Sequence, residues 1–388
     1  MGKPGNESLK RLERLEKLER LGGIVTLGDV CEKGSSNIAQ KDLQDCEGEY
    51  PIYGASGLIS HVNFYKQSEP YIAVVKDGAG IGRVMLLPAK SSVIGTMQYI
   101  FPIDREVIDL KYLYHAMCYM NLAKYFSGAT IPHIYFKDYK KEEIILPSLE
   151  EQKKVAGVLD AATVLAAKRR RQLTLLDTLT QSRFVEMFGT WPQNNKNWEI
   201  GTIKDVVSEV RYGSSRPAVV GGKYPYLRMN NITYTGGLDL TDIKYIDIPD
   251  NELDKCTVRK GDVLFNRTNS RELVGKTCVY DRDDMMVLAG FVIRVRVNER
   301  VTPLFLSAFL NTDFSKHMLF NMCKNAIGQA NINAKELQGI GIYIPPISLQ
   351  NEFAEFVFEV DRQKAALRRS LTALTTLKSA LMQEYFGN

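Results

Sequence analysis

The sequence has few of the residues that build metal sites, disulfide frameworks or membrane spans. Its 388 residues include six cysteines and four histidines, and no two cysteines have the CxxC spacing. This composition argues against a zinc site and predicts reduced thiols in a cytoplasmic setting. No apolar run approaches the roughly 18 residues that cross a membrane, and the N-terminus lacks the apolar segment of a secretion signal. These absences argue against membrane and exported proteins.

The charges of the chain are nearly balanced. It has 50 lysines and arginines against 45 aspartates and glutamates, which gives a net charge of +5. This mild positive charge permits a nucleic-acid partner without requiring one. The length predicts two or three domains, and a hydrophobic content of 45% is sufficient for buried cores.

Three short motifs resemble parts of enzymes, and each is incomplete. Gly78–Gly82 follows a predicted strand like a nucleotide-binding glycine turn, but the next residues favour a second strand, which indicates a β-hairpin. Residues 274–277 resemble the end of a P-loop, but Ser270 stands where its first glycine is needed. The single Pro-Pro pair follows Ile344, whereas DNA amino-methyltransferases need an asparagine or aspartate there. The sequence therefore contains no recognisable catalytic constellation.

The sequence does contain an internal duplication. When the chain is shifted by 198 positions, residues 128–189 overlay residues 326–387 with 17 identities in 62 positions. Unrelated chains of average composition would share about 4. In this overlay Gln152 falls on Gln350, and both copies end in a Phe-Gly pair. The chain is therefore a tandem repeat.

Each copy of the repeated segment predicts one long helix. No proline occurs between Pro147 and Pro192, and apolar residues recur three and four positions apart in both copies. About 40 residues at 1.5 Å each make a rod of roughly 60 Å. A helix of this length with one apolar stripe needs a partner, and its duplicate is the nearest candidate. We therefore predict that residues 149–189 and 347–388 pair as an antiparallel coiled coil. The alternative is two separate amphipathic helices, each lying on its own domain.

The other segments predict two similar globular domains and a leader. Residues 24–148 and 190–346 both contain short β-type runs bounded by Gly, Ser and Pro turns, with one helical stretch. The expected fold class is α+β, with two tandem-duplicated α/β domains separated by the two long helices. Residues 1–23 carry leucines at a three-residue period among charged residues. This period predicts a short charged leader helix, either native or foreign to the natural chain.

Side chains that read bases and anchor phosphates are concentrated on predicted turns of both domains. Arginine, asparagine and serine cluster at 211–216, 228–231 and 266–271, and the polar segment 328–333 overlays 130–135. Each residue alone is equally consistent with a simple turn former, but the recurrence in both domains favours DNA contact. The candidate DNA-contacting residues are Lys33, Ser35, Ser56, Arg83, His133, Arg211, Ser214, Arg228, Asn230, Arg267, Asn269, Arg271 and Asn331.

These features together resemble the DNA-specificity subunit of type I restriction-modification systems. The resemblance covers nearly all of residues 24–387 and is most specific at 145–152 and 344–350, where each domain passes into its long helix. Residues 51–57 and 260–265 are similar to turns and strands of the target-recognition domains in that family. The leader departs from the family pattern, which affects only the native start of the chain.

The resemblance implies a subunit that has no catalytic activity of its own. Each domain would read one half of a bipartite, asymmetric sequence in double-stranded DNA, and the paired helices would fix the unread gap. Two methyltransferase subunits would dock on it, bring S-adenosylmethionine and methylate adenine N6 on a flipped base. Two restriction and translocase subunits, which use ATP and Mg, are further expected partners.

The resemblance also implies that this chain itself holds no cofactor or metal. The expected location is the prokaryotic cytoplasm, at the nucleoid when the protein is bound to DNA, with no membrane partner. Two alternatives remain open. One is a DNA-modifying enzyme in its own right, and the other is a scaffold of the same fold that binds partner proteins without reading DNA.

Overall fold

The computed structural model describes residues 23–43, 47–128, 132–323 and 329–387, so the predicted leader, residues 1–23, lies outside the described residues apart from Gly23. The chain divides into two compact units. One unit is Met1–Arg169 with Ser370–Asn388, and the other is Arg170–Arg369. Each unit therefore contains one globular domain together with half of each long helix.

The strands of the first domain are β1 Ile24–Thr26, β2 Cys31–Ser35, β3 Tyr50–Gly54, β4 Gly57–Val62, β5 Tyr71–Val75, β6 Val84–Leu87, β7 Ser92–Val93, β8 Met97–Pro102 and β9 Glu143–Ile145. The domain is built on a four-stranded antiparallel sheet in the order β2-β8-β5-β6. A smaller sheet has the order β4-β3-β7, and β1 pairs with β9. The short helices are α1 Leu27–Val30, α2 Leu110–Tyr119 and α3 Phe136–Tyr139.

The central strand β5 of this sheet is buried along its whole length. Its residues alternate between the two faces, as the pleat of a strand requires. Ile72 and Val74 pack with Leu113 of α2 and Leu159 of the first long helix, whereas Tyr71 faces a separate cluster on the other side. Because both faces are covered, the ends of the strands and their connecting turns remain as the accessible part of this sheet.

The second domain repeats the plan of the first. Its strands are β10 Glu199–Thr202, β11 Val207–Tyr212, β12 Tyr224–Leu227, β13 Lys244–Ile246, β14 Thr257–Val258, β15 Val263–Asn266, β16 Thr268–Asn269, β17 Thr277–Val279, β18 Met286–Leu288, β19 Val292–Val297, β20 Ala330–Asn331 and β21 Gly341–Ile344. The main antiparallel sheet has the order β11-β19-β15-β17, a second sheet has the order β13-β12-β18-β14, and β10 pairs with β21. The short helices are α5 Asp250–Cys256, α6 Pro303–Asn311, α7 Asp313–Met322 and α8 Ala334–Gln338.

The two long helices are antiparallel. They are α4 Leu149–Phe188 and α9 Ile347–Phe386. In the second unit Asp177 pairs with Lys364 at 2.7 Å and Arg183 with Glu352 at 3.2 Å, so the partner number falls as the position in α4 rises. The predicted fold class is therefore confirmed. No helix among the described residues has the combination of length and apolar content needed to cross a membrane.

Aromatic side chains fix the end of α4 in the second unit. Phe184 and Phe188 are almost fully buried and contact Phe353 of α9, with ring centres 5.4 and 5.5 Å apart. Phe188 also contacts Phe305 of α6 at 5.0 Å. Burying one such ring stabilises a fold by roughly 1.5–3 kcal/mol. The helices are thus part of the domain core at this end.

The first unit joins its domain to α4 through a buried histidine. His115 of α2 is 1% exposed, and its Nε2 lies 2.8 Å from Asp160 Oδ1, while Lys111 Nζ lies 2.8 Å from the other carboxylate oxygen. Burial lowers the pKa of His115 below its ordinary value; Asp160 opposes this shift, and the charges of Lys378 and Lys111 add to it. The ring is therefore favoured in its neutral form.

We expect the first domain to lose stability as the pH falls below about 6.5, the ordinary pKa of an unfolded histidine. Because the pKa of His115 is lower in the folded state, the unfolded chain binds the proton more tightly. The stabilisation is complete above the unfolded pKa and decreases, by at most about 1.4 kcal/mol per pH unit, down to the folded pKa. Calorimetry between about pH 7.5 and about pH 5.5 would measure this. His115→Gln keeps a donor for Asp160 and should flatten the dependence; an unchanged pH slope would contradict the assignment.

Candidate nucleic-acid interface

One short turn organises the polar loops of the second domain. This second-domain turn, Ala289–Phe291, connects β18 to β19. Ala289 N donates to Leu227 O at 2.8 Å, Gly290 N donates to Ser214 O at 2.7 Å, and the carbonyl of Phe291 accepts from Arg267 N at 3.0 Å. Two of these bonds end on predicted polar loops, at Ser214 and Arg267, and the third ends on Leu227, directly before the predicted loop 228–231. The loops therefore meet at one end of the domain.

Arg267 is the cation of these loops that lies directly against the second-domain turn. Its guanidinium carbon lies 4.8 Å from the ring centre of Tyr212, and its Nη1 is 3.5 Å from Gly290 O. Its Nε is buried without a hydrogen-bond partner, and Arg267 forms no ion pair with any residue that the structure describes. Stacking on Tyr212 holds the group in place without neutralising its charge. Such a group can bind a phosphate or the acceptor edge of a guanine.

Asn331 lies beside Arg267 because β16 pairs with β20. Thr268 is the Cα partner of Asn331, and its hydroxyl donates to Asn331 Oδ1 at 3.0 Å. Ile332 N donates to Arg267 O at 2.9 Å, and Asn269 follows on the same strand pair. Asn331 is exposed. The structure therefore brings Arg267, Asn269 and Asn331 together.

Two other predicted arginines, unlike Arg267, have a carboxylate neighbour that partly neutralises their charge. Arg211 Nε lies 3.0 Å from Glu209, and Arg228 Nη2 lies 2.8 Å from Asp242. Burial raises the pKa of Glu209, but the hydrogen bond and charge of Arg294 outweigh this, with Arg211 contributing, and leave that pKa below its ordinary value. Glu209 therefore stays ionised beside Arg211. Its negative charge weakens any phosphate contact by that arginine.

The remaining predicted residues of the second domain differ in accessibility. Asn230 is exposed on the loop after β12. Arg271 stacks on Phe320 at 3.9 Å and donates to its carbonyl oxygen at 3.1 Å. Ser214 is 5% exposed, and its hydroxyl accepts from Arg216 N at 3.2 Å. Ser214 therefore stabilises its own loop, while its DNA contact stays an untested prediction.

The first domain has an equivalent turn, which we call the first-domain turn, Ile94–Thr96. Ile94 N donates to Tyr53 O at 3.0 Å, and Gly95 N donates to Ile38 O at 2.7 Å. Thr96 O accepts from Lys76 N at 3.0 Å. These bonds match the three made by the second-domain turn. The same backbone frame therefore supports the loops of both domains.

His133 occupies the position in the first domain that Asn331 occupies in the second, as the sequence overlay predicts. Ile134 N donates to Lys76 O at 2.9 Å, the counterpart of the bond from Ile332 to Arg267. His133 hydrogen-bonds the carboxylate of Asp77, and its ring centre lies 4.1 Å from that of Tyr135. Lys76 is consequently the counterpart of Arg267, although it is not among the predicted contacts.

The other predicted residues of the first domain lie at exposed strand ends and turns. Arg83 is exposed, and its Nη1 donates to Ala55 O at 2.6 Å, next to the exposed Ser56. Ser35 and Lys33 are exposed on the edge strand β2. The structure thus groups Ser56 with Arg83 and leaves Lys33 and Ser35 as a separate pair on the same sheet.

The glycine run Gly78–Gly82 is the predicted hairpin turn. It joins β5 to β6, which pair antiparallel. Gly82 has a φ of +78°, and a Cβ there would lie 2.4 Å from Ala123 N, so glycine is required. No group of three or more His, Cys, Asp and Glu in the described part of the chain could hold a metal ion.

Three residues of this candidate interface are not among the candidate DNA-contacting residues predicted from the sequence. Tyr212 supports Arg267, Phe291 is 50% exposed at the tip of the second-domain turn, and Lys76 is the counterpart of Arg267. Tyr212 directly follows Arg211 in a predicted loop, so an arginine-tyrosine pair was a usable signal. Phe291 gave none, because an apolar residue before a buried strand usually belongs to the core.

Comparisons with known proteins show which family and which fold this chain resembles. The sequence profile described as Type I restriction modification DNA specificity domain matches residues 23–174 and 195–376. The chain is 26% identical over 197 residues to the putative type I restriction enzyme MjaX specificity subunit of Methanocaldococcus jannaschii. It is 24% identical over 283 residues to the type I restriction enzyme EcoKI specificity subunit of Escherichia coli. These alignments cover 49% and 67% of this chain, respectively.

The same alignments cover 46% and 60% of those two relatives, so the matched part spans about half of their length. The fold is similar to that of the crystal structure of a type I restriction-modification system S subunit from M. genitalium, with a TM-score of 0.62 and 17% identity. That similarity covers 94% of this chain and 96% of the other. The profile match covers both duplicated halves, so the chain belongs to the family of type I restriction-modification DNA specificity proteins.

Proposed function

We propose that this chain is the DNA-reading specificity subunit of a type I restriction-modification complex. Each of its two domains contacts one half of a bipartite, asymmetric target in double-stranded DNA. The observation that carries this proposal is the second-domain turn, which gathers three polar loops around Arg267 and Asn331. Arginine pairs with guanine and asparagine with adenine in the major groove. The two domains share one backbone frame but carry different side chains on it. This combination supports the reading of two half-sites that differ in sequence.

The long helices are the proposed docking surface for two methyltransferase subunits. Both carry large apolar side chains that this chain leaves exposed: Val164 and Leu175 on α4 are 54% and 56% exposed, and Phe358 and Leu377 on α9 are 73% and 51% exposed. A partner subunit that covers these side chains would gain the free energy of burying their apolar surface. The length of the paired helices then sets the unread gap between the half-sites.

This chain supplies no catalytic group in the proposal. The methyltransferase subunits bring S-adenosylmethionine and methylate adenine N6, and two restriction and translocase subunits, with ATP and Mg, complete the nuclease. The complex works on DNA at the nucleoid, in the prokaryotic cytoplasm. What this chain contributes is the choice of sequence, because it holds the groups that contact base edges.

Methylome sequencing of cells that carry the chain with its cognate methyltransferase subunit, compared with cells that lack it, tests the proposal. We expect one bipartite methyladenine motif that depends on the chain. Exchange of residues 190–346 for the second domain of another specificity subunit should change one half of the motif and leave the other half intact. If the protein complex is purified intact but no motif appears, the chain is instead a scaffold that binds partners without reading DNA.

A further inference from the structure

Phe291 and Thr96 occupy the same position in the two domains. Phe291 O accepts from Arg267 N, and Thr96 O accepts from Lys76 N, both at 3.0 Å. In each domain the preceding glycine donates its N–H back to the loop after the edge strand. Both side chains are exposed, and each lies at the centre of the loops gathered by its turn. Equivalent, exposed and chemically different positions are where two readers of different sequences are expected to differ.

Phe291 makes no contribution to the packed interior that would explain an aromatic ring. It is 50% exposed and belongs to none of the hydrophobic clusters formed by the described residues, whereas the next residue, Val292, is fully buried. Its backbone is fixed, because Ala289 and Gly290 on one side and β19 on the other are all hydrogen-bonded. The ring is therefore presented from a rigid turn beside Arg267. Presenting a rigid apolar group limits the ordering cost of contact with a ligand.

We infer that Phe291 is a specificity-determining residue of the second half-site, and that its ring packs against the 5-methyl group of a thymine in the major groove. This inference rests on the proposed function. Thymine is the base with an apolar group on its major-groove edge, and phenylalanine is one of the side chains that contact it. The flanking Arg267 and Asn331 supply the hydrogen-bonding groups for neighbouring bases. In the first domain, the smaller Thr96 holds this position.

Replacement of thymine by deoxyuridine, one position at a time, tests the contact because it removes only the methyl group. The experiment uses the complex with the methyltransferase subunits and duplexes carrying the motif found by methylome sequencing. For the unmodified protein, one deoxyuridine in the second half-site should weaken binding roughly fourfold, the value of one buried methyl group. Phe291→Ser, which removes the ring and leaves no methyl group to contact the thymine, should be indifferent to the same change.

Tyr245→Ser is the matched control, because it removes another exposed aromatic ring of the second domain, on strand β13 and outside the turn. This variant should keep the fourfold sensitivity. Phe291→Ser with full sensitivity would overturn the inference, as would equal loss of binding on all sequences or failure to form the complex. A wild-type complex that yields no bipartite motif would instead refute the proposed function, and that result precedes any test of Phe291.

Discussion

Replacing Gln350 with alanine is expected to lower the free energy of unfolding of the second domain by about 3 kcal/mol. The side chain is fully buried at the start of α9. Its Oε1 accepts from Thr302 N at 2.7 Å, and its Nε2 donates to Arg300 O at 3.1 Å and to Pro345 O at 2.8 Å. Alanine would leave one buried N–H and two carbonyl groups with fewer partners, and each unsatisfied buried group costs about 1–3 kcal/mol.

Urea unfolding followed by tryptophan fluorescence would measure this loss, because both tryptophans, Trp191 and Trp198, pack against the core of the second domain. Gln363→Ala is the matched control: it removes a glutamine amide from the surface of the same helix, where its Nε2 donates to Glu359 at 3.2 Å. We expect the control to change stability by less than about 0.5 kcal/mol. A Gln350 variant as stable as this control would show that the buried amide is dispensable.

Gln152 makes the corresponding contacts in the first domain, which explains why the two glutamines coincide in the sequence overlay. It accepts from Asp109 N at 2.8 Å and donates to Val107 O and Pro147 O, both at 2.9 Å. In both domains this amide joins three segments of backbone: the residue before a helix, the loop that precedes it and the proline that precedes the long helix. The sequence overlay therefore predicts structure at this point, because two identical residues 198 positions apart make the same contacts in the two domains.

The long helices and the repeated plan were predictable from the sequence for the same reason. Their signals are local: a proline-free segment with apolar residues at helical spacing, a Phe-Gly end, and short β-type runs between turns. Which loops meet is a different question, because it depends on pairing between strands that are distant in sequence. The bond from Arg267 to Phe291 and the pairing of Thr268 with Asn331 follow from that register, and nothing near Arg267 in the sequence specifies it.

The burial of individual loop residues also could not be predicted from the sequence. Ser214 and Arg267 both lie in polar loops, yet Ser214 is enclosed by the bonds of its own turn and Arg267 keeps an uncompensated charge. Arg211 and Arg228 look similar to Arg267 in sequence, but Glu209 and Asp242 pair with them in the fold. Composition could locate the candidate reading surface on these loops. Composition could not show which residues of these loops are available for contact, because their availability depends on neighbours from other strands.

Arg267→Ala is expected to impair recognition of the second half-site alone, by about 1–3 kcal/mol if the guanidinium contacts a guanine edge. The stacked position over Tyr212 and the absence of an ion pair with any described carboxylate leave the positive charge of Arg267 available for such a contact. Competition binding of duplexes with single base-pair changes in each half-site, at two salt concentrations, would measure the effect. Discrimination should be lost at one base pair of the second half-site, and the first half-site should keep its preferences.

Arg259→Ala gives the matched control for this measurement, because Arg259 is an exposed arginine of the same domain that pairs with Asp254 at 3.5 Å, outside the loops bonded to the turn. If Arg267→Ala weakens binding equally on all sequences and reduces the salt dependence by about one counterion, Arg267 is a phosphate anchor instead. Arg267→Lys separates the two cases further. A lysine keeps a phosphate contact as a point charge, but it lacks the planar, rigid fork of the guanidinium. A base-reading arginine should therefore lose discrimination at its base pair on this substitution, whereas a phosphate anchor should keep most of its affinity.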